Sequence, residues 1–159
     1  MEDGAITLWN LKKLLGPGDQ LMGKGCISAA QIHSGVPVQS LEFNPNRKTL
    51  LASGGSEVLI QDISQNLKKP SKFKPGEPNF HEGSPITAIS WNRVVPHILA
   101  SASENGKIVV WDLKASKSIF QFTEPQSTAS NSYFDEPSAE SQVRTKKTRM
   151  MWNPELATQ

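Results

Sequence analysis

The chain has 159 residues, 36% of them hydrophobic and 20% charged, which is ordinary for a globular protein and compatible with one domain or part of a larger one. A net charge of +2, spread over short groups of basic residues, is too small to point to a nucleic-acid or membrane surface. Cys26 is the only cysteine, which excludes an intramolecular disulfide and a Cys-based zinc site and fits a reducing compartment. The sequence shows no leader pattern, no run of eighteen apolar residues and no N-x-Ser/Thr acceptor, so the expectation is a soluble, cytoplasmic protein.

Taken in chain order, "MEDGAITLWN" predicts a tight turn at Glu2-Asp3-Gly4 and then a strand ending at Trp9-Asn10. "GDQLMGKG" follows, matching the phosphate-binding loop G-x-x-x-x-G-K at Gly18, Gly23 and Lys24. It places Gly25 where Ser or Thr should ligate magnesium, and it lacks the strand before and the helix after. It therefore reads as a connection between strands, with a nucleotide-binding enzyme as the remote alternative.

Next comes a repeat. His33-Ser34-Gly35-Val36-Pro37-Val38 returns as His81-Glu82-Gly83-Ser84-Pro85-Ile86. The offset of 48 also carries Leu41 to Ile89, Phe43 to Trp91, Asn44 to Asn92 and Leu51-Ala52-Ser53 to Leu99-Ala100-Ser101. Beyond these the offset is 50, with Ile60 on Val110 and Asp62 on Asp112, so the earlier copy is shorter, in a turn. Self-similarity on this scale is the mark of a repeat architecture.

The apolar runs are of strand length, rich in Val and Ile, and bounded by Gly, Asn, Ser and Pro. The later copy reads as strands "PITAISW", "HILASAS" and "KIVVWDL" with a weaker outer strand near "SIFQF". Glu104-Asn105-Gly106 closes its central hairpin, since Asn-Gly takes positive φ cheaply. Four short antiparallel strands per unit of about fifty residues make an all-β fold of propeller blades. The segment 123–148, rich in Ser, Thr, Pro, Glu and Gln, reads as a mobile polar insertion, and "MMWNP" as a new first strand.

The division that follows is 1–22 for the end of a first blade and its connection, 23–70 for a second blade, 71–122 for a third, 123–148 for the insertion, and 149–159 for the start of a further blade. Two full and two partial blades cannot close a ring, which needs at least about four. The terminal units then expose strand edges and apolar faces unless more chain or another molecule covers them, and the expectation is a piece of a longer polypeptide.

Trp111-Asp112, with the near match Trp9-Asn10 and the degenerate copy Gln61-Asp62, resembles the signature of WD-repeat propellers. "SWNRVVPHILASASENGKIVVWDLK", "LEFNPNRKTLLASG" and "MMWNPELATQ" are similar to the propeller of the large subunit of the outer COPII vesicle coat. The resemblance implies a blade-tying hydrogen-bond set of His81, Ser101, Asn105 and Trp111, with partial sets His33 with Ser53 and Asp3 with Trp9. It also implies a scaffold and not an enzyme, without catalytic residues, metal or cofactor, working in endoplasmic reticulum to Golgi transport. Its implied partners are other coat subunits, including the smaller WD-repeat subunit, and neighbouring propellers. It implies no nucleic acid, and membrane association only peripherally, through the coat at exit sites and on vesicles. A WD-repeat substrate adaptor or signalling scaffold that binds peptides is the alternative.

The remaining candidates read structurally. His33 and His81 recur at one repeat position with no Cys, Asp or Glu at ligand spacing. Ser53, Ser101 and Ser103 lack a nucleophile-elbow context, and Asp62 and Asp112 recur at strand ends, where a carboxylate satisfies turn amides. Phe43, Trp91 and Trp152 share one position and Trp9 and Trp111 another, and all five are expected in the core. Lys68, Lys69, Lys72 and Lys74, and Arg144, Lys146, Lys147 and Arg149, are expected to be solvated.

Overall fold

The structure, a computed structural model, describes residues 4–10, 26–33, 35–65, 80–123 and 149–155, without the side chains of 26–31 and of Gln65. The described strands form three antiparallel sheets. The first pairs β1 (Ala5–Trp9) with β2 (Cys26–Gln31). The second runs β3 (Ser40–Phe43), β4 (Leu50–Gly54), β5 (Val58–Asp62). The third runs β6 (Ile86–Trp91), β7 (Ile98–Ser103), β8 (Lys107–Asp112), β9 (Lys117–Thr123).

The repeat is visible in the pairing. Leu51 lies opposite Gln61 as Leu99 lies opposite Trp111, and Ser53 opposite Leu59 as Ser101 opposite Val109. The shortening of the earlier copy sits in the β4–β5 turn: Gly54 pairs with Val58 across residues 55–57, whereas Ala102 pairs with Ile108 across 103–107. In the longer turn Gly106 alone takes a positive φ, 79°, and donates its N–H to the Ser103 carbonyl over 3.0 Å. Asn105 contributes its side chain to the turn rather than a left-handed backbone.

Side chains on a strand alternate faces, and the second sheet buries both of its faces, which is why β4 and β5 read as near-continuous apolar runs. Leu51 and Leu59 pack against Ile6 and Ile32 on the side of the first sheet. Ala52, Val58 and Ile60 face the third sheet and share a cluster with Leu99, Val109, Trp111 and, from the inner strand, Ile89 and Trp91. Gly54 makes the close approach possible. A Cβ there would stand 2.6 Å from the Ile86 side chain, beside the 2.7 Å bond from the Ile86 N–H to the Gly55 carbonyl.

Three expectations are corrected. Residues 26–31 hydrogen-bond to β1, so the first sheet reaches Gln31, and the second blade begins at β3, not at residue 23. Phe43 is not in the core: it is 46% exposed, while its repeat mate Trp91 is 1% exposed. Trp9 is 51% exposed, while its mate Trp111 is 2% exposed. The cause is common to both. Trp91 and Trp111 are covered by the second sheet, whereas no described inner strand lies beside Phe43 as β3 lies beside Trp91, and no described sheet lies on the outer side of Trp9. The expectations for Asp3, for 11–25 with its near-phosphate loop, for the lysines between 68 and 74, and for 124–148 lie outside the described residues.

Candidate functional site

Two arrangements carry the architecture: a polar lock inside the third sheet, and a seam between neighbouring sheets. In the lock, the Trp111 indole donates to Ser101 Oγ over 2.7 Å, and Ser101 Oγ lies 2.8 Å from His81 Nε2. His81 Nδ1 lies 2.7 Å from Ser103 Oγ, whose hydroxyl donates to Asn105 Oδ1 over 2.7 Å. The Asn105 amide then donates to the His81 carbonyl over 3.2 Å, closing the loop.

An indole N–H only donates, and the Ser103 hydroxyl proton goes to Asn105. His81 Nδ1–H must therefore donate to Ser103, and Nε2 accepts from Ser101. The circuit needs a neutral imidazole, and its surroundings supply one. Burial, aided by the positive charge of Lys107, holds the His81 pKa down at about 4. Phe80 and His81 both lean on the Trp111 ring, with centroids 5.5 and 6.2 Å away. A satisfied polar circuit of this kind fixes one geometry in a low-dielectric interior. It offers no activated nucleophile.

The structure thus brings His81, Ser101, Asn105 and Trp111 together, with Ser103 as the link between His81 and Asn105 that sequence reasoning passed over. Its signal was present, as a second buried serine two residues after Ser101 on the same strand face. In the second sheet His33 Nε2 lies 3.0 Å from Ser53 Oγ, both buried. There Gln61 stands in the place of Trp111, 2% exposed, and among the described residues neither its amide oxygen nor its nitrogen has a hydrogen-bond partner. Trp9 is exposed and its expected companion Asp3 is not among the described residues.

The seam joins inner strands side by side without a regular ladder. Ile89 N–H donates to Ser40 Oγ over 2.9 Å, Trp91 N–H to Glu42 Oε2 over 2.8 Å, and the Trp91 indole to the Glu42 carbonyl over 3.1 Å. One step on, the Trp152 indole donates to the Ser90 carbonyl over 2.9 Å, which lays 149–155 along β6 as β6 lies along β3. Partial burial lifts the Glu42 carboxyl above the usual range, against the lowering effects of its Trp91 bond and of Arg93. Asn44, Asn92 and Asn153 end the three inner segments alike, each Oδ1 accepting backbone N–H groups of the following turn. The Asn44 amide also reaches the Pro96 carbonyl of the next sheet at 2.7 Å.

Asp62 and Asp112 sit at matching strand ends. Bonds from Ser64 hold the Asp62 pKa down, and backbone bonds from Ala115 and Lys114 hold that of Asp112 down. Among the described residues, no group of three or more His, Cys, Asp or Glu side chains is placed to hold a metal, and no helix is long and apolar enough to cross a membrane.

Comparison with known proteins agrees with this geometry. Residues 77–112 match the family described as WD domain, G-beta repeat. The chain is 46% identical over 127 residues to protein transport protein SEC31 of Dictyostelium discoideum, covering 75% of this chain and 9% of that protein. It is 35% identical over 160 residues to protein transport protein Sec31B of Mus musculus, covering 99% of this chain and 12% of that one. The solved structure "COPII on membranes, outer coat vertex" superposes with a TM-score of 0.59 at 24% identity, over 79% of this chain and 32% of its counterpart. The chain spans about a tenth of the length of the curated relatives it matches. With its repeated sheets, its seam of indole donors and these similarities, the chain belongs to the Sec31 family as a segment of WD-repeat propeller.

Proposed function

We propose that this chain serves as a non-catalytic structural part of the outer COPII coat, in transport from the endoplasmic reticulum to the Golgi. The observation that carries the reading is the 46% identity, over 75% of this chain, to a protein transport protein SEC31. The physical support is that stiff wedges, each locked by a polar circuit and joined at fixed seams, present loops at set angles, so that many weak contacts add through multivalency. On this reading His81, Ser101, Asn105 and Trp111, with His33 and Ser53, hold blades rather than ligands. The chain acts from the cytoplasmic side at exit sites, through other coat subunits, including the smaller WD-repeat subunit, and through neighbouring propellers.

Affinity purification of the tagged protein from its own cells tests this. Co-purification of coat subunits and fluorescence at exit sites are expected. A ubiquitin-ligase or chromatin complex in their place overturns the reading in favour of a peptide-binding adaptor. ATP binding abolished by Lys24→Ala would overturn it in favour of an enzyme.

A further inference from the structure

Antiparallel strands give each sheet two ends, and in the second and third sheets charge is divided between them. One end carries the turns that follow β3, β6 and β8, and the exposed side chains of Arg47, Lys48, Arg93, Lys114 and Lys117 stand on it. The other carries the β4–β5 and β7–β8 turns and residues 81–85. There, among the described residues, Glu57, Glu82 and Glu104 face one cation, Lys107, which is ion-paired to Glu82.

The basic end is a single tied surface. The Asn44 amide donates to the Pro96 carbonyl over 2.7 Å and the Asn46 amide to the Arg93 carbonyl over 3.0 Å, which joins the turn after β3 to the turn after β6 across the seam. Within each sheet the outer turn is held in the same way, by Ile63 N–H on the Thr49 carbonyl over 2.8 Å and Leu113 N–H on the His97 carbonyl over 2.9 Å. The aspartates at this end are committed to the fold. Asp62 accepts from Ser64 and pairs with Arg47 at 3.0 Å, and Asp112 accepts the N–H groups of Lys114 and Ala115. Among the described residues, no carboxylate stands in ion-pair contact with Lys48, Arg93 or Lys114. Val94, next to Arg93, is 52% exposed, and Pro45 and Pro96 in the same tied turns are exposed as well.

We propose that this end is a docking surface for a carboxylate-rich segment of another protein. An extended chain with Glu or Asp at intervals and an apolar side chain among them matches what the end offers. The Arg93 guanidinium presents a fork suited to a carboxylate, Lys48 and Lys114 present point charges, and Val94 presents an apolar contact. A bilayer matches it less well. Recognition of anionic lipid takes a cluster of about four to eight Lys or Arg. Here the cations are interleaved with Asp62, Asp112 and Glu155, which a uniformly negative plane repels and a peptide can pass between. The glutamates of the far end repel the same segment, so the field steers it to the basic end before contact. The proposal rests on the strand topology and is independent of the coat reading.

Fluorescence anisotropy of the full chain with a labelled peptide of three Glu-Leu-Glu-Gly repeats tests it. Saturable binding is expected, weakened about tenfold between roughly 50 and 300 mM sodium chloride. Lys48→Glu combined with Arg93→Gln should weaken it about tenfold with unchanged circular dichroism, because both side chains are exposed. Glu57→Gln at the far end should change it by less than about twofold. No saturable binding, equal binding by the Lys48→Glu, Arg93→Gln chain, or equal binding of a peptide with Gln in place of Glu overturns the proposal. Sedimentation with phosphatidylserine vesicles in the absence of peptide binding overturns it in favour of a membrane surface. A salt-sensitive dimer in light scattering, again without peptide binding, overturns it in favour of the acidic end of a second copy.

Discussion

Acid should weaken this fold through His81 before Asp62 or Asp112 is protonated. The unfolded imidazole titrates at 6.5 and the folded one at about 4. Above 6.5 neither state holds the proton and the contribution to stability is complete. Between 6.5 and 4 the unfolded chain binds a proton that the folded chain refuses, so stability falls with falling pH, and below 4 the loss levels off. A shift of this size corresponds to about 3 kcal/mol. Asp62 and Asp112, held below 3.8, add their losses only at lower pH. Glu42, raised above 4.5, works in the opposite sense near its own range, because there the folded chain takes up the proton more readily. Urea titrations from pH 8 to 4.5, run alongside His81→Gln, isolate the effect. The unchanged protein should lose most of that stability relative to the variant, and the two curves should converge at acid pH. Parallel curves, or an imidazole NMR titration with its midpoint at 6 or above, would refute both the neutral circuit and the burial argument.

Trp111→Ala should cost about 3 to 5 kcal/mol, since it empties a core position and removes the indole donor to Ser101 Oγ, and the denaturation midpoint reads it directly. Ser101→Ala leaves both the Trp111 indole and His81 Nε2 without their partner and should cost about 1 to 3 kcal/mol for each group left unsatisfied. Gln61→Trp should stabilise the second sheet by about 1 to 3 kcal/mol, because it replaces an unpartnered buried amide with a donor within reach of Ser53. Trp91→Phe keeps the ring but deletes the bond to the Glu42 carbonyl, and should lower stability by about 1 kcal/mol without changing the circular dichroism spectrum.

Local chemistry made much of this legible beforehand. The Asn-Gly turn, the Val- and Ile-rich runs and the 48- and 50-residue offsets all concern neighbours in the chain, and the strand pairing follows them residue by residue. What sequence could not place was set by neighbours in space. Phe43 and Trp91 are equivalent in pattern, yet among the described residues only Trp91 has a neighbouring inner strand over it, and Trp111 but not Trp9 is covered by a neighbouring sheet. Strand β2 carried no turn signal that tied it to β1 rather than to β3, and its boundary was misplaced for that reason. Ser103 and Glu42 were missed because a serine or a glutamate on a strand is unremarkable until a histidine or an indole from another element arrives within 3 Å.

Because adjoining inner strands are joined by a few donor–acceptor pairs and not by a continuous ladder, the third wedge carries both halves of the joint, Trp91 as donor on one side and the Ser90 carbonyl as acceptor on the other. Duplicating one stretch of about fifty residues copies plug and socket together. A gene can thus lengthen or shorten such an array without inventing a new contact, and the wedge behaves as a portable module whose boundaries are chemical before they are genetic.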